Sequence, residues 1–242
     1  MYGSVSIAFQ PIVCLDTGRV AGAEGLCRFP EDTRWTPERC FINASQIGRG
    51  VELELLVVHA ALQAARALPA GLFVSVNVSS DALAARELLH LLDTAPIRTD
   101  RLILELTEHE PVKDYAATIS LRTDLRDRGI RLAVDDAGAG FASFRHIVRL
   151  EPDLIKLDRE LVRGIDQDHT QRALTKAVLG FTRDVGSSVV AEGIETAGEL
   201  RTITELGVPA GQGYLLGRPS NQPRTWQSWG TPRGLGALAE TA

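Results

Sequence analysis

The stretch Ile130-Arg-Leu-Ala-Val-Asp-Asp-Ala-Gly-Ala-Gly-Phe141 opens as an apolar strand, closes on two adjacent aspartates and passes at once into small, glycine-rich residues. A short apolar run that ends in acids and breaks at glycine reads as a strand feeding a turn. The same beat recurs on both sides of it. Candidate strands are Val5–Cys14, Arg19–Phe29, Leu72–Val78, Leu102–Leu106, Arg131–Asp135, Leu154–Asp158, Ser188–Ala191 and Gly213–Leu216. Between them lie candidate helices at Glu52–Leu68, Ser80–Thr94, Asp114–Arg128, Ser143–Leu150, His169–Val185 and Thr196–Leu206. In the first of these, Leu55, Leu56, Val58, Ala61, Leu62 and Ala65 recur at helical spacing. Ser80-Asp81 reads as an N-terminal cap, and Gly129, Gly186 and Gly207 stand where helices end on glycine.

Strands separated by helices imply parallel crossovers, and about eight such beats imply a closed α/β barrel rather than an open sheet. An open doubly wound sheet would normally carry G-x-G-x-x-G after its first strand, which is missing. The opening is irregular. Val5–Cys14 and Arg19–Phe29 are joined by Asp16-Thr17-Gly18, a hairpin signal that makes one of the first two strands antiparallel. Residues 1–220 read as one domain and 221–242, rich in Gly and Pro, as an irregular tail.

The bulk properties narrow the function. A formal charge of −5 over 242 residues argues against a nonspecific DNA or RNA duplex reader, which needs a basic stripe. Cys14, Cys27 and Cys40 are odd in number and widely spaced, as in a reduced, cytoplasmic protein. The N-terminus lacks the pattern of a signal peptide, and no apolar run approaches the ~20 residues of a membrane helix.

Polar residues cluster at the strand ends: Glu24, Asn77, Glu105, Asp135 with Asp136, Lys156, Glu192 and Gln212. In a parallel barrel these ends meet at one face. Singly, each is a helix cap or a solvated residue; together, so many acids on one rim require neutralising cations or shared protons. Oxygen donors with one amide and no Cys or His suit Mg²⁺ or Mn²⁺ better than zinc. The surplus of acids over one ion's needs favours two divalent cations, an arrangement that hydrolyses phosphodiesters. In Glu24-Gly-Leu-Cys-Arg28 the carboxylate and guanidinium share a strand face, one suited to metal and one to a phosphate oxygen.

With these blocks in place, FQPIV with LDTGRVAGAEGLCRF, SVNVSS, LELTE, RLAVDDAGAGF, LIKLD, VVAEGIE and QGYLLGRP, the chain resembles the EAL-domain cyclic di-GMP phosphodiesterases from about Phe9 to Pro219. The resemblance implies a modified (β/α)₈ barrel with one antiparallel early strand, two Mg²⁺ or Mn²⁺ ions, and hydrolysis of cyclic di-GMP to linear pGpG, which lowers the cellular messenger. It implies Glu24, Asn77, Glu105, Asp135, Asp136 and Glu192 as metal ligands, Asp136 serving the second ion. Glu24, Glu192 and Lys156 would carry the chemistry, Glu192 as general base and Lys156 holding the attacking water. Gln10, Arg28 and Gln212 would contact substrate. Glu108 would anchor the loop containing Gly138 and Gly140, and Glu195 would support the site. It also implies a homodimer and a sensory domain, fused or separate, as controller.

The chain departs from its relatives at a few places. Gly25 replaces the signature alanine, and the loop reads DDAGAGFAS where the family has D-D-F-G-T-G-Y-S-S, so Ala137, Ala139 and Ala142 are small. Gln46 stands where a glutamate is common. A catalytically silent module that binds cyclic di-GMP or a protein is the rival reading, although no ligand position is lost. A Schiff-base lysine at Lys156 is a third, opposed by the surrounding carboxylates, which raise rather than depress an amine's pKa.

Overall fold

The first two strands, β1 (Ser6–Cys14) and β2 (Val20–Arg28), form an antiparallel hairpin whose turn depends on Gly18, at φ +66°. The computed structural model describes residues 5–30, 35–106, 115–137 and 147–230. The other strands are β3 (Phe73–Val78), β4 (Leu102–Leu106), β5 (Arg131–Ala137), β6 (Leu154–Leu157), β7 (Ser188–Ala191) and β8 (Ala210–Gly211). They close in sequence order into an eight-stranded barrel. β1 runs antiparallel to both neighbours, β2 and β8, and every other pairing is parallel. The antiparallel strand foreseen from the hairpin is therefore β1.

The described helices are α1 (Pro37–Gln46), α2 (Gly50–Ala64), α3 (Ser80–Leu83), α4 (Arg86–Asp93), α5 (Tyr115–Asp127), α6 (Arg159–Val162), α7 (His169–Asp184), α8 (Ala197–Glu205) and α9 (Pro223–Gln227), with a further helical turn at 147–150. Gly129, Gly186 and Gly207 take positive φ after their helices, as the sequence suggests. Three expectations change. The segment Ser80–Thr94 is two helices, because Ala85 is extended (ψ 131°), and the cap is Ser79, whose hydroxyl accepts the Ala82 N–H. Gly213–Leu216 is a turn, closed by Leu216 and Gly217 N–H donating to the Gly213 carbonyl, and the strand lies just before it at Ala210–Gly211. Leu216 is buried from that turn, so its apolarity marks core and not strand. In the tail expected to be irregular, Pro223–Gly230 is helical and buries Trp226 and Trp229 against the outside of the barrel.

Strand parity layers the interior. Ile12, Ile103, Ala133, Leu154 and Val190 point inward and form an apolar plug, with Phe73 and Ala210 against it. The alternate residues point outward: Val74, Leu104, Val134, Ile155 and their neighbours pack under the helices in two larger clusters. Each such fully buried aliphatic side chain is worth about 1.5–3 kcal/mol. One inward position above the plug, two residues along each strand, stand Gln10, Glu105, Asp135, Lys156, Glu192 and Gln212. The polar layer rests directly on the apolar one.

Candidate active site

Lys156 is the centre of the layer. Its ammonium is 1% exposed and lies 2.6 Å from Glu192 Oε1, 2.8 Å from Glu105 Oε2, 3.2 Å from Asp135 Oδ1 and 3.5 Å from Glu24 Oε2. One buried cation thus faces four carboxylates. Glu24 also accepts from Asn77 Nδ2 (2.9 Å) and Gln212 Nε2 (2.7 Å), and Gln212 donates to Gln10 Oε1 (3.1 Å). Of the sequence-predicted residues, then, Gln10, Glu24, Asn77, Glu105, Asp135, Lys156, Glu192 and Gln212 do come together.

Their protonation follows from burial and charge. Burial pushes the Glu105 carboxyl well above the carboxylate range, with Glu24 and Asp135 adding to the push against Lys156. Burial likewise raises Glu192, to about 8, Lys156 opposing and Asp135 and Glu24 reinforcing. Glu24 goes the other way: burial raises it, but Lys156 and the hydrogen bonds from Gln212 and Asn77 prevail and hold it low. For Lys156, burial alone would depress the ammonium, yet the four carboxylates reverse this and hold it well above the ordinary lysine range. That rules against a nucleophilic, neutral amine.

The adjacent aspartates have a backbone explanation. Ala133 and Val134 pair with Leu154 and Ile155, but Ala137 pairs with Leu157, so Asp135 and Asp136 stand opposite the single residue Lys156. This is a β-bulge. Strict strand alternation therefore does not carry through this pair. The sequence suggested that the strand turns into its loop at Asp136; instead β5 continues to Ala137, which is buried.

The cleft above the layer has a volume of about 430 Å³. Besides the residues named, its walls include Leu26, Arg159, Arg163, Glu195, Glu199 and Tyr214, and of these the sequence reading identified only Glu195. Gly193, at φ +67°, lies so close to Arg159 that a Cβ would fall 2.5 Å from the Arg159 Cβ, and Gly213 leaves a Cβ 2.1 Å from the Ile194 carbonyl oxygen. Both glycines of the Glu192-Gly193 and Gln212-Gly213 pairs are therefore fixed by close approach. Glu199 closes a capping box on α8 with Thr196 and also accepts the Gly164 N–H, tying two rim loops together. A T-x-x-E pattern before an apolar run would have revealed it.

Arg28 is not among the cleft walls; its Nη1 donates to the Cys27 carbonyl at 2.8 Å. Glu108, Gly138 and Gly140 lie outside the described residues, as does the side chain of Asp136. A larger groove of about 590 Å³ is lined entirely from α2 and α4, by leucines alternating with charged and histidine side chains, and holds none of this chemistry.

Could the layer hold metal? Among the described residues no three His, Cys, Asp or Glu side chains are already gathered at ligand spacing. The described acids are drawn onto Lys156. The donor set nevertheless fits hard cations: it is all oxygen, carries more negative charge than one ammonium balances, and leaves Glu105 Oε1 buried with no hydrogen-bond partner among the described residues. Because Asn77 spends its amide nitrogen on Glu24, only its oxygen remains as a metal donor.

A model of the EAL domain matches residues 2–219. The chain belongs to the EAL domain family. It is 29% identical to the probable cyclic di-GMP phosphodiesterase PdeN of Escherichia coli K12 over 223 residues, covering 88% of this chain and 43% of the relative. It is 31% identical to the cyclic di-GMP phosphodiesterase NbdA of Pseudomonas aeruginosa, covering 89% and 29% respectively. Its barrel superposes on that of Klebsiella pneumoniae BlrP1, solved as a manganese and cyclic di-GMP complex, with TM-score 0.81 and 32% identity over 90% of this chain and 57% of the other. The chain spans less than half the length of these curated relatives. Among the described residues of this EAL domain no helix is long and apolar enough to cross a membrane. Its cysteines are free, and burial pushes the Cys27 thiol up to about 11, which keeps it a poor nucleophile.

Proposed function

We propose that this chain is a metal-dependent phosphodiesterase that hydrolyses cyclic di-GMP to linear pGpG. The observation that carries the reading is the surplus of negative charge around Lys156, four carboxylates to one ammonium in a closed-bottomed cup. Its relatives' names and the manganese complex of a 32% identical barrel support the same substrate and a divalent cofactor, Mg²⁺ or Mn²⁺. Glu24, Asn77, Glu105, Asp135, Asp136 and Glu192 would hold two such ions. When bound, they supply the positive charge that stabilises the attacking and leaving oxygens of the phosphodiester.

The residues do the rest. Lys156 donates an N–H to the attacking water; its donors are spent on Glu105, Glu192 and Asp135 in this structure, so one of those acids must release it. Glu192 accepts the water's proton. Raised to about 8, its carboxyl binds a proton strongly, and it acts as base from its ionised form, which gains on the protonated one as pH rises toward that value. Gln10 and Gln212, linked to each other and to Glu24, present amides to the substrate's polar edge. Arg28 would reach a phosphate oxygen by leaving the Cys27 carbonyl, and Glu195 would brace the rim. Glu108, with Gly138 and Gly140, would couple the neighbouring loop to the site. We further propose a cytoplasmic homodimer under a sensory partner.

Purified protein with Mn²⁺ and cyclic di-GMP is expected to release pGpG. Glu24→Ala should lower turnover by more than about 100-fold, beyond the loss expected of a merely supporting group. Absence of pGpG from the wild type, with cyclic di-GMP still bound, would replace the enzyme by a receptor.

A further inference from the structure

Pro11 sits inside a closed barrel, where a residue without an N–H is out of place. On β1, Phe9, Pro11 and Val13 turn their backbone groups toward the β8 side, and Val13 pairs there with Gly211. β8 is only two residues long, so its ladder with β1 ends at Val13 and Cys14. The site-bearing half of the seam therefore has no strand to close it.

The segment after the turn closes it. Gly217 passes so near Pro11 that a Cβ would lie 2.4 Å from the proline Cγ, and the Gly217 carbonyl accepts Gln10 Nε2 at 3.1 Å. Ser220 then forms a two-bond bridge with Phe9: Phe9 N–H donates to the Ser220 carbonyl (2.8 Å) and Ser220 N–H to the Phe9 carbonyl (2.9 Å). Trp226 locks that bridge. Its indole N–H donates to the same Ser220 carbonyl at 2.8 Å, and its ring meets Phe9 edge-on with centroids 5.0 Å apart.

We propose that Ser220–Gly230, which lies past the family match ending at residue 219, is a strap that positions Gln10 for substrate, with Trp226 as its key positioning residue. The route is short and continuous. Trp226 and Ser220 fix Phe9; Phe9 fixes the adjacent Gln10; Gln10 meets Gln212, which meets Glu24. The catalytic unit thus extends beyond the family match. The inference rests on the proposed hydrolysis for its kinetic consequence, though not for its structural one.

The test combines Trp226→Phe, which keeps an aromatic ring and loses the indole N–H, with Trp226→Ala and Gln10→Ala. For Trp226→Ala, KM for cyclic di-GMP should rise about tenfold, the scale of one lost polar contact, with kcat within about twofold; Trp226→Phe should fall between. In the Gln10→Ala background the tryptophan change should raise KM no further. Effects that multiply, or that fall on kcat, would overturn the proposal. If Trp226→Ala does not fold, Trp226→Phe carries the same comparison. Backbone hydrogen exchange on the ligand-free variants gives a second reading. Phe9 and Ser220 should exchange at least about tenfold faster while Val13 and Cys14 hold their rates. Uniform or unchanged exchange would overturn the strap. If the wild type shows no hydrolysis, the functional reading fails, and exchange alone decides the strap.

Discussion

Replacing Lys156 by methionine removes the charge and keeps most of the volume, so it isolates what the ammonium does for the fold. Each of its contacts, near 3 Å, is worth about 5–6 kcal/mol at an effective dielectric near 20, before dehydration and the mutual repulsion of the acids are subtracted. Removing one partner of such a buried set costs about 3–5 kcal/mol, because the acids left behind have no counter-charge. At about 2–4 °C per kcal/mol for a chain of this size, Tm should fall by about 6–20 °C in chelator at pH 8. Near pH 5.5 the loss should shrink, since Glu105 and Glu192, already biased toward protonation, neutralise themselves. Excess Mn²⁺ should restore part of the lost Tm by supplying positive charge to the same oxygens. Differential scanning calorimetry with and without EDTA measures all three. A Tm within about 2 °C of wild type in EDTA at pH 8, corresponding to about 1 kcal/mol or less, would mean that the carboxylates do not depend on Lys156, and the electrostatic account of the site would fail.

The wild type has its own pH signature. Glu192 keeps its proton up to about 8 in the folded chain but ionises near 4.5 when unfolded, so stability in chelator should fall as pH rises between those values. Glu24, held low, contributes stability that is present above about 4.5, throughout that range, and is lost as pH falls below it; saturating Mn²⁺ should flatten the alkaline decline, and a rising or flat chelator profile from pH 5 to 8 would contradict the Glu192 assignment. Gly213→Ala drives a Cβ into the Ile194 backbone, and should cost about 1–3 kcal/mol or more in urea denaturation, with turnover falling because Gln212 moves with it. Gly25→Ala restores the family's alanine. Its Cβ would lie 3.3 Å from Phe9 Cε1 and 3.5 Å from the Ala61 Cβ, away from Glu24, so stability should change by less than about 1 kcal/mol and kcat should hold within about twofold.

Much of this was legible in the residues. The hairpin announced itself through Asp16-Thr17-Gly18, and the acids at strand ends appeared as a set because alternation puts each one step above a plug residue. β8 escaped because two residues carry no periodicity, while Leu215 and Leu216, packed from a turn, imitated a strand. The bulge at Asp135 and Asp136 could not be read either: it is a property of two strands in register, and β5 alone looks regular. The tail misled for a related reason. Its Pro and Gly content suggested an irregular segment, but two tryptophans supply enough apolar surface to dock a pair of helical turns. Arg159, Arg163 and Tyr214 were missed as cleft walls because they sit on a one-turn helix, its C-terminal cap and a turn, where spacing along the chain says little about direction.

The reversed first strand has a mechanical consequence. In a regular barrel of this kind the chain enters at the floor, remote from the chemistry. Here β1 begins at the mouth, where Ser6 pairs with Arg28, and descends past Gln10 toward the plug. Entry and exit threads therefore meet at one rim, Phe9 against Ser220. A pull or twist applied upstream of Ser6 has four residues to travel before it reaches the amide that faces Glu24. The barrel is wired so that its handle and its working parts are on the same side.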